Sequence, residues 1–149
     1  MMALFKFGIN DYTINVDATG QIEFSSGWGV HRLSFIFKVT ARDDYVTNAP
    51  FSISGDLWAS GIPGSERWIG NLASSHLIRL KSFETIANLA VPVTDVQIAE
   101  IDRMRAGGDV EMRAFLTLTG LAEDQFPSAS NNEVLRIPRA TWSKRVAQR

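Results

Sequence analysis

The chain reads as a series of period-two runs broken once by a helical period. From Val30 to Thr40, His31, Leu33, Phe35, Phe37 and Val39 fall on one side of an extended backbone, and Arg32, Ser34, Ile36 and Lys38 on the other. That alternation predicts a long strand with one face buried. From Phe51 to Ser60 the pattern resumes, with Phe51, Ile53, Gly55, Leu57 and Ala59 on one face and Ser52, Ser54, Asp56, Trp58 and Ser60 on the other. The clearest alternation runs from Val110 to Thr119, where Val110, Met112, Ala114, Leu116 and Leu118 interleave with Glu111, Arg113, Phe115, Thr117 and Thr119. Shorter runs at Tyr12 to Val16 and Gln21 to Phe24 flank Asp17-Ala18-Thr19-Gly20, and together they predict a hairpin. Arg67 to Gly70, His76 to Leu80, Ile86 to Val93 and Glu133 to Ile137 supply further strands.

One stretch has a different period. Ile98, Ile101 and Met104 recur at helical spacing after Thr94, whose hydroxyl suits an N-cap. Gln97, three residues on, can reach back to the Thr94 N–H and complete a capping box, and Val93 with Ile98 makes a hydrophobic staple. The helix is expected over about Asp95 to Ala106, with Gly107 taking the left-handed turn that stops it. Pro138 opens a second, short C-terminal helix in which Trp142 and Val146, four apart, face inward.

Many short strands joined by turn signals predict a mostly β fold, an antiparallel β-sandwich with one well-capped helix at its edge. A length of 149 residues favours one domain spanning 1–149, possessing its own core and able to serve as one module of a larger protein. Asn48-Ala49-Pro50-Phe51, Gly55-Asp56-Leu57, Ile69-Gly70 and Leu89-Ala90-Val91-Pro92-Val93 give the stretch from Phe35 to Thr119 a layout that resembles the water-stress/hypersensitive-response sandwich of type 2 late-embryogenesis-abundant proteins. Ala49 interrupts that family's usual Asn-Pro-Asn, and a helix after the last strand is no part of its pattern. The resemblance implies a fold and, because the family is not enzymatic, no catalytic residue.

Composition narrows the function by exclusion. Fifteen Lys and Arg against sixteen Asp and Glu leave no global field to recruit nucleic acid or an acidic membrane surface. With no Cys, disulfides, thiolate catalysis and Cys-ligated metals are excluded. No apolar run approaches a membrane span, and the first nine residues are too interrupted for a signal peptide, so a cytoplasmic protein is expected.

Candidate chemistry is sparse. A histidine-based hydrolase would have to use His31 or His76. His31, on the apolar side of its strand, reads more simply as a satisfied strand-end histidine, and Ser74-Ser75-His76 lacks the Gly-x-Ser-x-Gly elbow. Asp43, Asp44 and Asn48 supply too few oxygens for calcium. Acids and arginines alternating from Glu100 to Arg113 read as surface ion pairs, and Arg136, Arg139, Lys144, Arg145 and Arg149 as a solvated basic face. No cofactor or metal is expected.

What stands out is apolar residues on polar strand faces: Ile36, Trp58 and Phe115, the last beside Arg113. Gathered on one outer face, these four would form an aromatic patch with a charged rim, the composition of a protein interface. The expectation is therefore a non-enzymatic protein-binding or assembly module, contacting a protein partner or a second copy through a sheet face or edge. A carbohydrate- or small-ligand-binding sandwich stacking its ligand on Trp28, Trp58 or Trp68 is the first alternative, and a hydrolase the second.

Overall fold

The computed structural model describes residues 3–9, 12–27, 30–41, 51–60, 66–74, 84–120 and 129–148. The strands are β1 (Ala3–Ile9), β2 (Tyr12–Gly27), β3 (Val30–Ala41), β4 (Phe51–Ser60), β5 (Arg67–Ser74), β6 (Glu84–Val93), β7 (Val110–Gly120) and β8 (Ala129–Ile137); the helices are α1 (Asp95–Met104) and α2 (Arg139–Gln148). The mostly β, antiparallel class and both helices are as the pattern predicts.

The strands share one eight-stranded sheet in the order β1-β2-β3-β6-β5-β4-β7-β8, where a sandwich would divide them between two. The sheet curls until β8 approaches β1, and the Asn131 amide donates to the Lys6 carbonyl at 2.8 Å across that seam. Curling lets a single apolar face enclose the core, so the alternating side chains of every strand point into one interior. Phe5, Phe7, Val16, Leu33, Phe35, Phe37, Leu57, Leu89, Met112, Leu116 and Ile137 all lie there, and among the described residues no polar residue is wholly buried, although the Oδ1 atoms of Asn15 and Asp17 are shielded from solvent. Phe37 meets Phe5 edge-on, with ring centroids 6.2 Å apart.

One strand expectation shifts and another has no counterpart among the described residues. The predicted hairpin at Asp17–Gly20 is instead a continuation of β2: pairing with β3 passes from Ala18↔Phe37 to Ile22↔Phe35, so the extra residues form a bulge. The Thr19 hydroxyl donates to the Ile36 carbonyl, holding that bulge against β3. The hairpin lies one strand earlier, where Ile9 pairs with Tyr12. The predicted strand at His76–Leu80 lies outside the described residues.

Both helices sit at the same end of the curled sheet. Helix α1 follows β6 directly and turns Ile98, Ile101 and Met104 onto the core. The expected capping box is present, with the Thr94 hydroxyl accepting from the Gln97 N–H and the Gln97 carboxamide oxygen accepting from the Thr94 N–H. The other half of that carboxamide donates to the Ile69 carbonyl on β5 at 2.9 Å, so one side chain caps the helix and ties it to the sheet. The helix ends at Met104 and not at Ala106, because Ala106 already takes a left-handed φ of 51°, one residue before Gly107 at 78°. In α2, Trp142 is fully buried, meets Phe24 edge-on and donates its indole N–H to Asp102 on α1 at 3.2 Å. Asp109 accepts the Arg139 N–H and so satisfies a donor at the start of α2.

A candidate binding face on the outer side of the sheet

Strands β4 and β7 pair with Trp58 opposite Arg113 and Asp56 opposite Phe115. All four project to the outer face, because the residues between them, Leu57 and Ala114, are buried. The result is a two-by-two block in which aromatic and charged side chains alternate diagonally. Its sides follow from strand geometry, roughly 5 Å across the strands and 7 Å along them. Gly55 brings the two strands together: a Cβ there would lie 1.9 Å from the Phe115 carbonyl oxygen, so only glycine permits this approach.

A bulge adds a third aromatic. Between β4 and β5 the register passes from Leu57↔Gly70 to Trp58↔Trp68, leaving Ile69 as the extra residue. Without that shift Trp68 would oppose Ala59 and share the inner face with Leu72. With it, Ile69 is buried and Trp68 is turned outward beside Trp58. Trp58, Trp68 and Phe115 are 36%, 51% and 42% exposed, large apolar groups left partly in water on a chain whose core is otherwise closed. Asp56, Trp58, Glu66, Arg113 and Phe115 line a cleft of about 500 Å³.

The charged members of this face are held in place. The Arg113 guanidinium donates to Asn132 on β8 at 2.6 Å, and the Trp68 indole N–H donates to Asp56 at 3.3 Å. Each charge therefore keeps a fixed position while retaining further donors or acceptors toward solvent.

Of the residues that the alternation marked, the structure brings together Trp58, Arg113 and Phe115. Ile36 is half-buried on the outer side of β3, three strands from β4 and so roughly 15 Å from the block. Periodicity already sets Asp56 on the face of Trp58 without marking it as a lining residue, and it misses Glu66. The sequence offers Trp68 as a stacking residue without fixing its face; the bulge at Ile69 is what turns it outward. The exposed Ile86 and Val96 lie apart from the block, on β6 and α1.

The other candidates take structural places. His31 Nε2 is 3.0 Å from Asp95 Oδ1, joining the start of β3 to the first turn of α1. Arg105 donates to Asp102, a surface pair expected of that charged stretch, whereas Glu100 accepts from Arg67 on β5 and Glu111 from Arg136, which the sequence places in a solvated basic face. His76, Trp28 and the Asp43, Asp44 and Asn48 loop lie outside the described residues. Among the described residues no group of three or more His, Asp or Glu is placed to hold a metal ion, and no helix is long and apolar enough to cross a membrane.

No family model matches the chain, and no curated protein matches it. Among solved structures, a protein from Archaeoglobus fulgidus aligns with a TM-score of 0.45 at 9% identity, covering 88% of this chain and 97% of that one.

Proposed function

We propose that this protein is a non-enzymatic binding or assembly module that contacts another polypeptide through the outer face of β4, β5 and β7. The observation that carries the reading is the convergence of Trp58, Trp68 and Phe115 on three adjacent strands, with Arg113 and Asp56 fixed between them. Burying a large apolar side chain of this kind contributes about 2 kcal/mol, and a bulge spent on turning a Trp into water costs core packing unless something covers it. Trp and Arg are also the residues that most often dominate interface energetics.

Site-specific photocrosslinking tests this. A photoreactive residue in place of Phe115 is expected to give a discrete polypeptide adduct in cells, whereas one in place of Ile36, outward-facing but three strands away, gives none. Adducts from both positions alike, or from neither, contradict the reading.

A second reading has one observation in its favour. The cleft's volume falls within the range of small-molecule pockets, and Trp58 beside Trp68 offers a stacking platform with carboxylates at its edge, as a carbohydrate requires. Calorimetric titration with mono- and disaccharides checks it: binding that is lost in both Trp58→Ala and Trp68→Ala variants favours this reading over the first.

A further inference from the structure

Resting on the outer-face reading, we infer that the polypeptide that covers this face is a second copy of the same chain, docked face to face about a twofold axis that runs along the diagonal from Trp58 to Phe115. An isologous contact requires a patch that complements itself. A patch carrying charge of one sign repels its copy, but this one holds Arg113 and Asp56 at opposite corners of the block, each locked by a hydrogen bond.

The alternation then selects the axis. In a face-to-face dimer the twofold axis lies in the plane between the sheets, and each choice of direction pairs the four corners differently. An axis along the strands sets Trp58 against Arg113 of the copy and Asp56 against its Phe115. One across the strands sets Trp58 against Asp56 and Arg113 against Phe115. The axis through Arg113 and Asp56 sets each charge against its own like. Only the axis through Trp58 and Phe115 lays each aromatic on its own counterpart and places each Arg113 over the copy's Asp56, twice by symmetry. Trp68 and Glu66 border the block on the β5 side and extend the contact beyond it. The arrangement joins an apolar centre to two reciprocal ion pairs at its corners, the layout in which charges set register and partner choice.

Charge reversal and its rescue test this. Sedimentation of the purified chain over a range of concentrations is expected to show a reversible dimer. Arg113→Asp and Asp56→Arg, each confirmed as folded by circular dichroism, are each expected to weaken it by about tenfold or more, since like charges then face each other at both corners. The Arg113→Asp/Asp56→Arg double variant restores the pairs with their polarity swapped and is expected to recover most of the lost affinity. A parent that stays monomeric at every concentration overturns the second copy as partner and leaves the face to a different protein or to a carbohydrate. A parent that dimerises with single reversals as tight as itself places the self-contact elsewhere and overturns this inference, while the outer-face reading is decided separately by the crosslink at Phe115. Single reversals that weaken the dimer without rescue in the double variant overturn the axis.

Discussion

Two positions show how single atoms set the geometry of the binding face and its supporting helix. Gly55 has no room for a methyl group, because the obstacle is the main chain of β7 at Phe115 and not a side chain that can swing aside. Gly55→Ala is expected to lower stability by about 3 kcal/mol in urea unfolding, and to push Phe115 out of the block. Ala106 presents the opposite case. It holds a left-handed φ of 51° that an L side chain adopts at a cost of about 1 kcal/mol, so Ala106→Gly is expected to raise the unfolding free energy by up to about 1 kcal/mol, read in denaturant titration. Neither feature is legible beforehand, since a sequence pattern says which face a residue occupies and nothing about how near the next backbone comes. The same limit left the face of Trp68 open: the sequence offers it as a stacking residue, and the register shift that buries Ile69 is what turns it outward beside Trp58.

At the level of elements, α1 was the most legible part of the chain because its signals are local. Thr94, Gln97, Ile98, Ile101 and Met104 lie within eleven residues and act on one another across single turns. The second duty of Gln97 was not legible, because Ile69 is 28 residues away in sequence. That double role has a measurable signature. Gln97→Glu keeps an acceptor for the Thr94 N–H but has no donor for the Ile69 carbonyl, and is expected to cost about 1 kcal/mol. Gln97→Ala loses both bonds and is expected to cost about 2 kcal/mol, so denaturant unfolding should rank parent, Glu and Ala in that order. Helix α2 depends on burial more than on capping. Trp142 fills the space between Phe24 and Asp102, and Trp142→Ala is expected to cost about 4 kcal/mol, the largest effect of any change outside the sheet. The split of β2 into two runs at Asp17–Gly20 failed for a related reason: a bulge and a hairpin turn have the same polar, glycine-ended signature, and which forms depends on the strand laid alongside.

For the whole molecule, class was legible and closure was not. Alternating faces and turn spacing specify antiparallel strands, and both two-sheet and single-sheet arrangements satisfy them equally. What selects one curled sheet is the pairing of β3 with β6 and of β4 with β7, contacts between segments far apart in the chain. Closure leaves only outward side chains to meet a partner, and so concentrates the question of function on the few large apolar groups among them. Of the four residues that the sequence offered for a partner, three converge and Ile36 does not. Convergence of Trp58 with Phe115 is the part that an assembly role needs and that folding of the core does not.

The most direct measurement is therefore the mass in solution of a folded Trp58→Ser/Phe115→Thr variant, read by sedimentation equilibrium beside the parent across a hundredfold concentration range. The account predicts a parent whose mass climbs toward two copies and a variant that stays folded and stays at one, its stability lowered by about 1 to 2 kcal/mol because each side chain is partly packed on the sheet. A variant that associates as the parent does would contradict it.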